Sequence, residues 1–324
     1  MQVLTHGTGN SAPEHAVLIF GLGMIGNAVR DSLLRLGYRV IREIDFNWHD
    51  ERKRTLAYSE IATACTPGAA ALGHVSFVWT AGQATFHATE SETSRELQTF
   101  SEIVAFARRL QESKHHAEVA FHLLSSAGGL FEGQQVIDLN STPAPRRPYG
   151  QMKLAQERLV KHAFESRQIR IYRPSSVYGP MKLVSGKGLI NHLVQNGRNG
   201  AVTVLDSHVM ALRDYVFSQD VGDFVARTVH THHRSTNPKV ELFLVSSRCS
   251  SIFEVVRKIQ LHLKLRLQIR FDENFGNSRN ITFTEQVQPQ GWHPVSLDVG
   301  IRQFLVGKQP MRTRSPDCQP SIAG

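Results

Sequence analysis

The stretch Val17-Leu18-Ile19-Phe20-Gly21-Leu22-Gly23-Met24-Ile25-Gly26 joins an apolar run of β type to a glycine turn, and a helical pattern follows from Asn27 to Leu36, closed by Gly37. Gly21, Gly23 and Gly26 fit G-x-G-x-x-G in the one context where that spacing carries meaning, after a strand and at a helix start. Glycines there permit a tight turn, close approach of backbone to a pyrophosphate and close helix–strand packing, while the helix N-terminus attracts the anion. With Met24 and Ile25 between them, these glycines are read as a dinucleotide cradle. A second strand, Tyr38–Ile44, brings Glu43 and Asp45 just under 20 residues past Gly26. An acidic group at that point accepts hydrogen bonds from a ribose and repels a 2′-phosphate, favouring NAD over NADP. Asp45 is the chosen residue, and Arg42 keeps NADP open.

Working outward, Val75–Trp79, Val119–Leu124 and Ile169–Tyr172 are further short apolar runs, separated by helical periods at Arg95–Leu110 and Gln151–Phe164. Strands alternating with helices predict an α/β fold, a Rossmann-type doubly wound parallel sheet with right-handed crossovers. Beyond Gly179 the pattern loosens into glycine-containing loops, an apolar segment at Val202–Leu205 and helices around Val221–His230 and Ile252–Leu263. The expected organisation is a loose, disordered extension at 1–15, a cofactor domain at 16–180 to which the chain returns around 212–232, a smaller C-terminal substrate lobe at 181–310, and a disordered basic tail at 311–324.

Composition narrows the classes. The apolar residues make up 41% of 324, enough to bury a full core. The longest uncharged apolar run, Ala16–Gly26, is far shorter than a bilayer span, so no membrane segment is expected. Cys65, Cys249 and Cys318 are widely spaced, which suggests neither a disulfide framework nor a zinc site and fits a reducing cytoplasm. None of the 16 histidines has a metal-ligand spacing, so no metal is expected and the histidines are read as solvated. Trp79 and Trp292 are read as packing residues. Residues 1–150 carry 13 Lys/Arg against 15 Asp/Glu, leaving 24 against 13 for residues 151–324 out of totals of 37 and 28. The basic excess therefore belongs to the second half and suits a phosphate-bearing partner. It is dispersed and not interleaved with aromatics, which argues against nucleic acid.

Tyr149-Gly150-Gln151-Met152-Lys153 sets a phenol and an ammonium four residues apart, on one face of a helix starting near Pro148. A phenol is a poor base at neutral pH, but a neighbouring Lys cation and a nicotinamide cation both favour the phenolate. It can then take a proton from a sugar hydroxyl as hydride leaves. The strand ending Leu124-Ser125-Ser126 would deliver its hydroxyls to the carboxyl edge of the sheet, where open α/β folds bind ligands.

From Val17 to about Val225 the chain resembles the extended short-chain dehydrogenase/reductase superfamily, in its NAD-dependent sugar-nucleotide epimerase/dehydratase branch. The resemblance rests on Val17–Gly26, Thr80-Ala81-Gly82, Leu124-Ser125-Ser126-Ala127-Gly128-Gly129, Pro148–Lys153, Arg173-Pro174-Ser175-Ser176-Val177-Tyr178-Gly179-Pro180, and Arg213-Asp214-Tyr215-Val216-Phe217 with Asp220-Val221. It implies NAD held by the glycine turn, Thr80, Ala81, Gly82, Tyr149, Lys153, Pro174 and Ser175. It further implies Tyr149 as acid/base, Lys153 on the nicotinamide ribose, and a hydroxyl polarising the substrate, for which Ser126 is chosen. Ser125, Ser126, Ser176 and Arg213 would meet the nucleoside-diphosphate sugar, with Arg213 on the diphosphate. A cytoplasmic enzyme of polysaccharide biosynthesis, forming a homodimer, is the corresponding expectation.

The sequence departs from the family pattern at several points. Phe20 stands at the usual first glycine, Ala127 at the catalytic hydroxyl, Glu96 at a helix asparagine and Ser176 at the asparagine near the sugar diphosphate. Gly128-Gly129 replaces the acidic pair that a 4,6-dehydratase needs, which disfavours that reaction. An epimerase is the leading expectation. A keto-sugar reductase using the same Tyr and Lys, and a non-catalytic dinucleotide sensor, are the alternatives.

Overall fold

The computed structural model describes residues 1–7, 14–65, 73–82, 84–112, 118–181, 188–205, 208–232, 239–271 and 280–306. In the first half the elements are β1 (Gln2–His6), β2 (His15–Phe20), α1 (Met24–Arg35), β3 (Arg39–Glu43), α2 (Glu51–Cys65), β4 (His74–Trp79), α3 (Glu90–Glu112), β5 (Glu118–Leu124), α4 (Ala127–Leu130) and β6 (Val136–Ile137). There follow α5 (Pro148–Ala163), β7 (Ile169–Pro174), β8 (Ser176–Tyr178), α6 (Leu189–Asn199), β9 (Val202–Leu205), β10 (Leu212–Arg213) and β11 (Tyr215–Phe217). The last are α7 (Ser218–Thr231), β12 (Glu241–Leu244), β13 (Ser250–Ser251), α8 (Ile252–Leu263), β14 (Gln268–Phe271), β15 (Thr282–Phe283) and α9 (Leu297–Val306).

Seven strands form the central sheet in the order β12-β7-β5-β4-β2-β1-β3. All of it is parallel except β1, which pairs antiparallel with both neighbours. The strands read as continuous apolar runs because both faces are covered. On one face Leu18, Phe20, Phe77, Trp79, Phe121 and Ile171 pack against α2, α3 and α5. The rings of Phe20, Phe77 and Phe121 stack across three strands, nearly coplanar at 8° and 7°. On the other face Val17, Ile19, Val78 and Tyr172 pack against Val29 and Leu33 of α1 and Val221, Phe224 and Val225 of α7. A separate cluster joins Leu193 of α6, Ile259 of α8 and Ile301 of α9 to Tyr178, Tyr215 and Phe217, and forms the core of the smaller lobe.

Three expectations change. Residues 1–15 are not wholly a loose extension: Gln2–His6 is a sheet strand, with Val3 and Leu4 fully buried, because β2 and β3 offer it backbone partners on both sides. The chain returns to the cofactor domain further than residue 232, since Glu241–Leu244 pairs with β7 as the sheet's last strand. Residues 8–13 and the tail 311–324 lie outside the described residues. The histidines are not uniformly solvated either: His15, His122 and His232 are buried. His15 lies 2.9 Å from the Ser76 hydroxyl and 2.7 Å from that of Tyr38, and His122 lies 2.9 Å from the Tyr172 hydroxyl with its ring 4.8 Å from that of His232. Among the described residues no group of three or more His, Cys, Asp or Glu is arranged to hold a metal ion. Trp79 and Trp292 are buried packing residues, as expected.

Burial, reinforced by the nearby His232, Arg170 and His15, holds the His122 ring well below the usual histidine range. The unfolded chain therefore takes up a proton near its ordinary value of about 6.5 that the folded ring refuses. Stability is fully present above that value and falls as pH drops, by up to about 1.4 kcal/mol per pH unit from this one group. We expect thermal unfolding scans between pH 7 and 5 to show this loss, and His122→Gln to flatten the slope; an unchanged slope in the variant would contradict the assignment.

Candidate active site

Parallel pairing puts the carboxyl ends of four strands at one edge: Phe20 is level with Trp79, Trp79 with Leu123, and Leu124 with Tyr172. The crossovers from β2 and from β4 depart in opposite directions, so this edge is a topological switch point, where such sheets bind ligands.

The glycine turn occupies that edge. Gly21 takes φ +93°, and a Cβ there would lie 2.4 Å from the Ala81 Cα. A Cβ on Gly26 would lie 1.9 Å from the Gly21 carbonyl oxygen. Position 23 is different, since a Cβ there meets nothing within 4 Å. Gly23 is also the N-cap of α1 and provides no capping side chain, so the first-turn N–H groups face this open space. Such a cradle fits a pyrophosphate. The Thr80 hydroxyl bonds the carbonyls of Phe20, at 3.0 Å, and Gly21. Thr80 thus fixes the turn's shape, Ala81 is buried beneath it, and Gly82 is exposed.

Asp45 is exposed just past β3, whereas Ile44 beside it is buried. Glu43 accepts from the Gln2 amide at 2.5 Å. Insertion of β1 sets β3 two strand spacings from β2, roughly 9–10 Å rather than one spacing.

Pro148 opens α5 at its first position, suited to its missing N–H. Tyr149 and Lys153 share one face, with the Lys153 Nζ 5.8 Å from the Tyr149 ring centroid. A Cβ on Gly150 would lie 2.2 Å from the Gly129 carbonyl, so only glycine lets α5 press against the short helix α4. That contact brings the Ser126 turn beside the Tyr149 ring, whose edge would be 3.0 Å from a Cβ at position 129. Phe86 approaches the same ring edge-on at 6.5 Å and carries the Arg147 guanidinium 4.4 Å above its own ring.

Beneath this pair lies a buried polar layer. Lys153 Nζ donates to Gln156 Oε1 at 3.1 Å and lies 3.6 Å from Glu96 Oε1, with both charged side chains at most 5% exposed. Glu96 also accepts from the Ala84 N–H at 3.0 Å and from the Gln156 amide at 3.4 Å. Glu157 binds Arg173 through both oxygens, at 3.0 and 2.7 Å, and accepts from the Ser125 hydroxyl at 2.6 Å. Ser125, expected at the substrate, is buried and gives its hydroxyl proton to this carboxylate. Ser126 is half-buried and its oxygen caps α4, accepting from the Gly129 N–H at 3.1 Å. Ala127 beside it is fully buried. Sequence reasoning did not assign roles to Gln156, Glu157 or Arg173, and gave Glu96 only as a departure. The signal was available in α5, where Tyr149, Lys153, Gln156 and Glu157 recur at i, i+4, i+7 and i+8 on a face that must be buried.

Pro174 ends β7 in the core, and the Ser175 hydroxyl binds the buried carboxylate of Asp214, which also accepts from the Ser246 N–H at 2.9 Å. Ser176 is exposed, and its N–H donates to the Asp214 carbonyl at 3.1 Å. Arg213, half-buried in β10, bonds the Leu212 carbonyl at 2.9 Å, and β10 pairs with β13 at the start of α8.

The sequence model of the NAD dependent epimerase/dehydratase family matches residues 17–241. The chain belongs to that family. Family membership makes NAD the cofactor that the glycine cradle fits. Solved epimerase/dehydratase family structures with the same architecture include the UDP-glucose 4-epimerase of Thermus thermophilus in complex with NAD, at 17% identity and TM-score 0.69, with 89% of this chain and 97% of that chain covered. The Thermotoga maritima UDP-glucose 4-epimerase with UDP-glucose aligns at 18% and 0.67, covering 89% and 96%. The UDP-glucuronic acid 4-epimerase of Bacillus cereus, in complex with UDP-glucuronic acid and NAD, aligns at 15% and 0.63, covering 89% and 97%. At such identities these likenesses establish the fold. A comparison with curated protein sequences finds no match. No helix among the described residues is long and apolar enough to cross a membrane.

Two substitutions separate the roles of the turn and the layer below. Gly23→Val should abolish NAD binding in calorimetry with the melting temperature nearly unchanged, because its side chain enters only the cradle. Ser125→Ala should instead lower stability by about 1.5–3 kcal/mol, the range for a buried hydrogen bond to a charged group, and leave NAD binding intact. Wild-type NAD affinity in Gly23→Val, or full stability in Ser125→Ala, would contradict these placements.

Proposed function

We propose that the protein is an epimerase of nucleoside-diphosphate sugars, working through a transient keto-sugar with no net change in cofactor oxidation state. The observation that carries this reading is the Tyr149–Lys153 pair, set on one face of α5 against the Ser126 turn and at the same sheet edge as the glycine cradle. Gly21, Gly23, Met24, Ile25 and Gly26 bind the pyrophosphate through first-turn N–H groups of α1. Asp45, exposed just past β3, is the carboxylate assigned to the adenosine ribose, and Thr80, Ala81 and Gly82 shape the floor. NAD bound there supplies hydride acceptance and return.

Tyr149 takes the proton from a sugar hydroxyl in the first half-reaction and gives it back in the second, so one phenol serves both directions. Lys153, held by Gln156 and Glu96, faces the ring and stabilises negative charge developing on the phenol oxygen. Ser126, half-buried beside the ring, supplies the polarising hydroxyl that Ala127 cannot. Pro174 and Ser175 close the nicotinamide side, Ser175 being fixed by Asp214. Arg213 and Ser176, on the second lobe's side, hold the diphosphate by charge-assisted and neutral hydrogen bonds, and this tether keeps the ketone in place while it turns. The glycines at 128 and 129 leave no acid for the proton removal that water elimination would require.

Assays with nucleoside-diphosphate sugars, separating isomers by chromatography while following absorbance of reduced nicotinamide, test the reading. Isomer interconversion without cofactor consumption is expected. Steady oxidation of added reduced nicotinamide would make the protein a keto-sugar reductase, and NAD binding without turnover would make it a sensor. Tyr149→Phe should lower turnover by at least ~10²-fold, the lower range of general acid–base contributions, while NAD binding is retained. Arg213→Ala should raise KM for the nucleotide sugar and let reduced-cofactor enzyme accumulate as keto-sugar escapes. Near-normal turnover in Tyr149→Phe would contradict its assignment.

A further inference from the structure

Asn27, at the end of the first turn of α1, turns its amide back toward the residues that precede the helix. Its Nδ2 donates to the Leu22 carbonyl at 2.6 Å and to the Gly23 carbonyl at 2.9 Å. The Gly23 carbonyl also accepts the Asn27 N–H at 3.0 Å, as the first bond of the helix ladder. One residue therefore holds two consecutive peptide units through their oxygens.

The direction of the amide follows from its partners, since both are carbonyl oxygens and only the NH2 group can donate to them. The other end of the amide is left over. Asn27 Oδ1 is buried, and among the described residues it has no hydrogen-bond partner. Burying an acceptor without a donor costs free energy, and native structures keep few such groups. The side chain is thus held by its two donor bonds at the expense of its acceptor.

Peptide geometry carries this hold into the cradle. In a planar trans unit the C=O and N–H point in opposite directions, and no peptide bond among the described residues is cis. The Leu22 carbonyl shares its unit with the Gly23 N–H, and the Gly23 carbonyl shares its unit with the Met24 N–H. Drawing both oxygens to Asn27 therefore turns both N–H groups away from it. Neither N–H has a partner among the described residues, and a helix offers none to its own first turn. Gly23 does not fix this arrangement by itself. Glycine populates both signs of φ, nothing within 4 Å would meet a Cβ at position 23, and no side chain at this N-cap bonds the helix.

We propose that Asn27 is a positioning residue for the dinucleotide, which presets the Gly23 and Met24 N–H groups toward the pyrophosphate so that binding does not have to order the turn. This role rests on the assignment of the glycine turn to the pyrophosphate and adds to it the side chain that sets the turn.

Calorimetric titration of the full chain with NAD, beside the melting temperature of the unliganded chain, tests it in three variants. Asn27→Leu keeps the size of the side chain and removes both donors. NAD should weaken about 10-fold, of the order expected for neutral hydrogen bonds, while the melting temperature stays close to wild type because Leu favours helix more than Asn does. Asn27→Ser should fall between wild type and Asn27→Leu, since a helical serine hydroxyl reaches the carbonyl four residues back, as Ser32 reaches Ala28 at 2.7 Å in the same helix. Asn27→Asp should bind NAD most weakly, because its carboxylate would face two carbonyl oxygens. Wild-type NAD affinity in Asn27→Leu, or Asn27→Ser no better than Asn27→Leu, would overturn the role. A melting temperature that falls in step with affinity across the three variants would also overturn it. A wild-type chain that takes up no NAD would overturn instead the assignment of the glycine turn.

Discussion

The near-contact between the glycine turn and the strand beside it is the constraint on which the rest of the molecule depends. Any side chain at Gly21 would strike Ala81, and any at Gly26 would strike the Gly21 carbonyl, so β2, β4 and the start of α1 can approach only as they do. The Thr80 hydroxyl fastens the turn from β4's side. From that junction the parallel registers carry the same edge across to β5 and β7, and the four strand ends become one continuous floor. Gly23 is the one turn glycine with open space around it.

The second physical theme is the buried polar layer under the floor. Two carboxylates, Glu96 and Glu157, face Lys153 and Arg173 from within the helical layer, with Ser125, Gln156 and the Ala84 N–H completing their hydrogen bonds. Buried ion pairs are costly to desolvate, and breaking one by removing a single partner costs about 3–5 kcal/mol. Such a layer therefore orients more than it stabilises. Lys153 is directed by Glu96 from behind, and the strand end that carries Pro174 and Ser175 is anchored by Arg173 on Glu157. The lysine's position rests here on an ion pair with Glu96.

Much of this was legible in the sequence. The β-type run at 16–20, the glycine spacing and the helix after it predicted their own environment, because both faces of the central strands are buried and local pattern and tertiary context agree. The parts that were not legible depend on non-local pairing. Gln2–His6 is too short to declare itself, and becomes a strand only because β2 and β3 lie on either side. Glu241–Leu244 joins the sheet after a long excursion. Ser125 and Ser126 are adjacent in sequence and diverge in role: one hydroxyl reaches down to Glu157, while the other remains at the helix cap. Histidines scattered along the chain meet at the lower end of the sheet, where their spacing gave no warning.

The central claim is that the carboxyl edge of this sheet holds NAD together with a nucleoside-diphosphate sugar. Mass spectrometry of small molecules released by denaturing freshly purified protein, followed by titration of the stripped chain with NAD and NADP, tests it most directly. The account predicts release of NAD with a nucleoside-diphosphate sugar, or tight uptake of NAD in preference to NADP by the stripped chain. A chain that releases NADP, or that takes up neither dinucleotide, would contradict it.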